Sequence, residues 1–335
     1  MSLTKENIIK LSAISFIFLL ISGACVIVAV PSIGLATNYG IKMPPIYSLQ
    51  EAQRYFYFGG IRQIWQYDSR CAVEDSLLIY KPLNGKCVFN NLEFDTTLTF
   101  DDNGRSVSNR PNSMDKTVVI LGDSYAMGWG VNDNETFASQ LQLLTNRPVF
   151  NFGVSSYATE REIGRLLQWE HSNSVDTIII QYCNNDLNEN KSYPVDRDLG
   201  AKRFRSARDS YVQPNIPRSS LSIYESIASK DYTSFLPFGD SKKPADDRIN
   251  PHVDGVVHVL DNYRSYLKGK RVIIFYANKY AKQQKKPWSQ EIAKDGYTLE
   301  FIDLEFVRGH HFNIDDHLNV SGHAFAAQRL AEIIK

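Results

Sequence analysis

Thr117-Val118-Val119-Ile120-Leu121-Gly122-Asp123-Ser124-Tyr125 joins a wholly apolar run to a small polar turn. An apolar run this short, without alternation, fits a strand buried on both faces, as in a parallel sheet. In open α/β sheets ligands bind beyond the carboxyl ends of the strands. Chemistry is therefore expected at the residues directly after such a run, and here they are Gly122, Asp123 and Ser124.

The pattern repeats outward. Pro148–Phe152, Thr177–Tyr182, Arg271–Tyr276 and Thr298–Leu304 read as four more strands. Between them, Phe137, Leu141 and Leu144 have helical spacing, and Ile163, Leu166 and Leu167 share one helical face. Thr159 and Glu162 have the spacing of a capping box ahead of that face. Val256, Leu260, Tyr263 and Leu267 predict an amphipathic helix stopped at Gly269, and Ala326, Leu330 and Ile333 a final one. Alternating strands and helices predict a doubly wound α/β fold with a mainly parallel sheet over 116–335. Residues 188–250 interrupt this order with a polar, proline-containing insertion, either a surface excursion or a loop over the substrate.

Upstream the chain changes character. Leu11 to Val30 is twenty residues without a charge, enough to span a bilayer as a helix. Lys5 and Lys10 precede it, so the positive-inside rule leaves 1–10 in the cytoplasm and sends the rest outside. A retained signal anchor is the expectation. A cleaved signal peptide and a lipoprotein signal ending at Cys25 are the alternatives. Residues 31–115 then form a linker and a small β-rich region, where Leu92, Phe94, Leu98 and Phe100 alternate with polar residues before the Asp102-Asn103-Gly104 turn. In an oxidising compartment Cys71 and Cys87 are natural disulfide partners, worth roughly 3 kcal/mol for a loop of that size.

Across 335 residues, 43% hydrophobic and 22% charged, the composition is that of a globular protein. Lys+Arg and Asp+Glu balance at 37 each, so no global field draws nucleic acid. The expected partners are the membrane, through 11–30, and an acylated small molecule or glycan.

Strand ends and loops deliver Ser124, Gly153, Asn185 and His317 to one sheet edge. These are the parts acyl transfer requires. A serine hydroxyl needs a base to take its proton, and histidine does this near neutral pH. Ser124 N–H, Gly153 N–H and the Asn185 carboxamide are candidates for an oxyanion hole. Asp123 reads as structural, bonding loop N–H groups, and His323 as part of the first turn of the last helix. His310, His311, Asp315, Asp316 and His317 include metal-compatible donors, but their spacing matches no zinc signature and a metal would leave Ser124 and Asn185 unexplained.

Together, Gly122-Asp123-Ser124, Gly153, Asn185-Asp186 and His317 resemble, in order and strand context, the four blocks of the SGNH/GDSL hydrolases over roughly 115–335. The resemblance implies a flavodoxin-like three-layer α/β/α fold and ester chemistry without a cofactor or metal. Two positions depart from the family pattern. Cys183 stands where the third block usually begins with Gly, and reads as a small buried residue. Ile314 occupies the place three before the histidine where Asp is usual. Asp315, two before it, resembles the Asp-x-His form of some members and takes the orienting role, with Asp316 as the other candidate.

The expected function is an extracytoplasmic serine esterase acting through an acyl-enzyme on Ser124, on O-acyl and especially O-acetyl groups of a carbohydrate. An O-acetyltransferase using the same residues is the rival enzyme, and a non-catalytic glycan-binding protein the rival of another class.

Overall fold

The computed structural model describes residues 32–111, 114–211, 251–277 and 289–335. The expected membrane span at 11–30, with Cys25, lies outside them, as does most of the polar insertion. No helix among the described residues is long and apolar enough to cross a membrane. The described residues divide into two compact units, one made of those up to Arg62 and the other of those from Gln63 onward.

In the first unit, α1 (Tyr47–Phe56) runs into a π-helical turn at Tyr57–Ile61. The buried Gln53 accepts the Met43 N–H at 3.0 Å and donates to the Ile41 carbonyl at 2.7 Å, so the segment ahead of α1 folds back on it.

The second unit carries the sheet. The apolar runs become β6 (Thr117–Gly122), β7 (Val149–Asn151), β8 (Val175–Tyr182), β9 (Arg271–Tyr276) and β11 (Tyr297–Ile302). These five pair in parallel, in the spatial order β11-β9-β8-β6-β7. That is the flavodoxin-like order, and the switch point lies between β6 and β8. Side chains alternate across the strands with period two. Val119, Leu121, Ile178, Ile180, Val272 and Ile274 face one core, with Ile163 and Leu166 of α4 (Thr159–Leu167) and Val256 and Leu260 of α6 (Pro251–Asp261). Val118, Ile120, Ile179, Ile273 and Phe275 face the other. They pack there with Phe137 and Leu141 of α3 (Phe137–Thr145) and Ala327 and Leu330 of α8 (Val320–Ile334). The sheet thus separates two helical layers.

The β-rich stretch joins this sheet. β3 (Gly85–Asn90), β4 (Asp95–Asp101) and β5 (Gly104–Arg105) extend it by antiparallel pairing beyond β7, and β10 (Gln290–Lys294) adds an antiparallel strand beyond β11. A separate hairpin, β1 (Ala72–Asp75) with β2 (Ile79–Pro82), is tied to β3 by the Cys71–Cys87 disulfide, whose Cα atoms are 5.8 Å apart.

Three local expectations are corrected. The N-cap of α4 is Ala158, without a side-chain cap. Thr159 Oγ1 accepts from Asn190 instead, and Glu162 is fully buried, so tertiary contacts override the capping-box spacing. The stretch from Val256 to Leu267 is two helices, α6 and α7 (Arg264–Leu267), separated at Asn262-Tyr263. The polar insertion begins as a helix, α5 (Asp186–Ser210), which lacks an apolar stripe of its own. It is held from outside: Phe204 stacks on Tyr80 at 4.7 Å, and Glu189 pairs with Arg161 of α4 at 2.7 Å.

Candidate active site

Ser124 opens α2 (Ser124–Met127), directly beyond the carboxyl end of β6. Gly122 before it has φ 142°, and a Cβ there would lie 2.7 Å from both Ala126 Cβ and the Gln181 carbonyl oxygen. Only glycine makes this turn. A helix start leaves its first N–H groups without helical partners, and here they are individually assigned. Tyr125 N–H goes to Asp123 Oδ1, Ala126 N–H to Gln181 Oε1, and Met127 N–H to the Asp123 carbonyl. The Ser124 N–H alone of the four has no acceptor among the described residues. At the other end of α2, the buried Arg105 of β5 donates to the carbonyls of Met127, Gly128 and Val131 and pairs with Asp133 at 3.0 Å. Gln181 and Arg105 support the site, yet neither belongs to any motif in the sequence.

His317 reaches this serine from the loop before α8. Its Nε2 lies 2.7 Å from Ser124 Oγ. Its Nδ1–H donates to the carboxylate of Asp315, which is buried with it. With Nδ1 protonated, Nε2 is left as the acceptor for the serine O–H. Asp316, the other candidate for orienting the histidine, has a left-handed backbone at φ 72° and receives the Tyr125 O–H on its carbonyl at 3.1 Å. The Tyr125 ring lies 4.7 Å from the imidazole, closing one face of it.

Of the three expected oxyanion donors, only Gly153 N–H has an acceptor among the described residues. Gly153 is pressed against α2: a Cβ would come within 2.4 Å of Met127 N and 2.6 Å of Ala126 C. Its N–H, however, is donated to Asn151 Oδ1 at 3.0 Å, so it serves an oxyanion only by sharing or leaving that bond. Asn185 is exposed at the start of α5, beyond the end of β8, and its carboxamide makes no capping hydrogen bond. It stands at the same sheet edge as Ser124.

Beneath these residues the site is buried and acidic. Burial, opposed by the Tyr125 N–H, holds the Asp123 carboxyl above its ordinary range. Burial also raises Glu162 and Asp186 well above the carboxylate range, reinforced by Asp186 for Glu162 and by Asp123 for both. The Cys183 thiol is likewise pushed well up by burial, which leaves it protonated and poorly nucleophilic. His323 is fully buried in α8 and pushed down to about 3, first by burial and then by Arg105, His317 and His311. It is neutral, and its Nδ1 accepts the Phe137 N–H that begins α3. His310 and His311 turn to other partners, Val307 N–H and the Ala277 carbonyl. Among the described residues no group of His, Cys, Asp and Glu is arranged to hold a metal ion.

Neither a scan of protein-family models nor a search of curated proteins gives a match. Several solved structures are similar at low identity. One is a member of the lipolytic G-D-S-L family from Veillonella parvula, with 12% identity, a TM-score of 0.33, and 65% of this chain and 97% of that one covered. Another is a carbohydrate esterase family 2 enzyme with a carbohydrate-binding domain from Corynascus thermopiles (Myceliophthora fergusii), with 12% identity, a TM-score of 0.38, and 69% and 68% covered. A GDSL-like lipase from Bacteroides thetaiotaomicron gives 11% identity, a TM-score of 0.29, and 68% and 92% covered. The geometry of the site itself, rather than these likenesses, carries its chemistry.

Proposed function

We propose that this chain is a serine esterase that forms an acyl-enzyme on Ser124. The observation that carries the reading is the line from Asp315 through His317 to Ser124, with 2.7 Å between the imidazole Nε2 and the serine Oγ. In the reaction, Nε2 takes the Ser124 proton as Oγ attacks the acyl carbon. Asp315 fixes the tautomer and stabilises the imidazolium that forms. The tetrahedral oxyanion is met by the Ser124 N–H, with the Asn185 carboxamide and Gly153 N–H as further donors. The imidazolium returns its proton to the departing alcohol, and water then attacks the acyl-enzyme by the same steps to release the acid and restore Ser124.

The substrate in this reading is an O-acyl, in particular O-acetyl, group on a carbohydrate outside the cytoplasmic membrane, with 11–30 as the tether. The charge-free span and its flanking lysines support that placement.

The test is acetate release from O-acetylated glycans by the wild type and by Ser124→Ala, with and without a sugar acceptor. Release by the wild type alone, unaffected by acceptor, is expected. Transfer to the acceptor in place of release would make the chain an acetyltransferase, and release by Ser124→Ala would remove Ser124 from the chemistry. Protease added to sealed spheroplasts should digest the catalytic unit; protection until detergent is added would overturn the placement.

A further inference from the structure

We propose that Glu93 is a positioning residue that holds the Asp315–His317 loop in register with Ser124, an inference that rests on the esterase reading. Glu93 lies in the turn between β3 and β4, far from that loop in sequence. Its carboxylate accepts three successive backbone N–H groups: Asn313 on Oε1 at 2.9 Å, and Ile314 and Asp315 on Oε2 at 2.7 and 2.8 Å. Consecutive amides converging on one anion make a nest, and hydrogen bonds to an ionised acceptor are the strong kind. The third amide belongs to Asp315 itself, so the clamp ends on the residue whose side chain orients His317.

The loop is also held by the Tyr125 O–H, which bonds the Asp316 carbonyl at 3.1 Å. A single bridge, His311 to Leu318, and the Phe312 N–H to the His317 carbonyl at 2.9 Å close its base. Residues 313–316 between them form no ladder, Ile314 and Asp315 are buried, and Asp316 takes a left-handed backbone. The turn that carries Glu93 is closed and packed. Asn91 N–H closes it on the Phe94 carbonyl at 2.9 Å, and Leu92 and Phe94 are buried on either side. Phe94 meets Trp129, just beyond α2, at 5.6 Å and Phe312 at 5.1 Å. One turn therefore packs, through Phe94, both on the residue just beyond the serine's helix and on the histidine's loop.

The test uses Glu93→Gln and Glu93→Ala in the full chain. Gln keeps the size and one acceptor oxygen but turns an NH₂ toward a backbone N–H. Three readouts are combined: amide exchange at Asn313, Ile314 and Asp315; the downfield proton resonance of His317 Nδ1–H; and kcat and KM on 4-nitrophenyl acetate, in wild-type and Asp315→Asn backgrounds. We expect exchange at the three amides to rise about tenfold or more in Glu93→Ala, and the downfield resonance to shift or broaden in both variants. We expect kcat to fall ~10–100-fold with KM little changed, since small misplacements of reacting groups cost this much. In the Asp315→Asn background the same substitution should add almost nothing, because residues acting as one unit are not additive. An unchanged resonance with unchanged kcat in Glu93→Gln would overturn the proposal. So would an equal fold-loss in both backgrounds, which is the signature of a general structural effect. If the wild type hydrolysed no ester while the resonance was present and lost in both variants, the esterase reading would fail and the positioning role would stand. Should Glu93→Ala not fold, Glu93→Gln carries the comparison.

Discussion

Gln181 Oε1 accepts the Ala126 N–H at 3.0 Å, and the same oxygen takes the Asp123 N–H at 3.2 Å. One carbonyl at the end of β8 thus holds the backbone on both sides of Ser124. Gln181→Leu keeps an apolar body of similar length and leaves two buried N–H groups without an acceptor. Unsatisfied buried donors cost about 1–3 kcal/mol each. The expected result is a lower urea midpoint together with a kcat loss of roughly tenfold or more, since the serine's turn loses its register. A stability loss with kcat unchanged would make Gln181 scaffold only.

Gln181 also shows where the sequence stops informing. The parallel strands are legible because each is a continuous apolar run of strand length. Ser124, His317 and Asp315 are legible because their types and order match a chemistry. Gln181, Glu93 and Arg105 carry no such mark: each is a polar residue in or beside a strand, and its partner lies in a distant segment brought close only by folding. The same blindness explains Thr159 and Glu162, whose spacing suits a helix cap while the fold buries Glu162 toward Asp186. It also explains α5, polar throughout and stabilised by Phe204 against Tyr80 rather than by any stripe in its own sequence.

Asp315→Asn should cost far more activity than Asp316→Asn. The His317 Nδ1–H bonds the Asp315 carboxylate, and the corresponding change in the serine-protease template lowers kcat about 10⁴-fold. Asp316 contributes its carbonyl to Tyr125, and Asn preserves that group. Steady-state kcat for the two variants decides it. Equal mild losses would mean that neither carboxylate orients the base, and the reverse ranking would move the role to Asp316.

Gly153→Ala should disable the site while leaving the chain folded. The added methyl would meet backbone atoms of α2, Met127 N at 2.4 Å and Ala126 C at 2.6 Å, and backbone cannot swing aside as a side chain can. Overpacking of this sort typically costs about 1–3 kcal/mol. The displacement falls on the helix that presents Ser124, so fluorophosphonate labelling of the serine should slow by about 10²-fold. Labelling at the wild-type rate would show that α2 moves without disturbing the nucleophile.

His323 should leave a signature in the acid stability of the chain. In the folded state this imidazole is pushed down to about 3 from an ordinary value of 6.5, first by burial and then by the nearby Arg105, His317 and His311, while its Nδ1 accepts the Phe137 N–H. The unfolded chain binds a proton there near 6.5. Between the two values the unfolded state holds more protons, so stability from this residue rises with pH and is lost as pH falls below about 6.5. The slope is about 1.4 kcal/mol per pH unit for one full proton. Asp123, Glu162 and Asp186 act in the opposite sense. Their folded values are raised, so the folded state holds the extra protons and they favour lower pH. A single denaturation curve would blend these effects, and the measurement must be a difference. His323→Asn places an amide oxygen near the Nδ1 position and does not titrate. It loses the packing of the ring against Phe137, stacked at 5.7 Å, so it should be less stable than the wild type at pH 7.5. On lowering the pH, the gap should close by about 1.4 kcal/mol per unit below roughly 6.5. Urea unfolding of both proteins at pH 7.5, 6.5, 5.5 and 4.5 reads this directly. A gap that stays constant over the series would show that His323 carries no unfavourable proton linkage in the folded state.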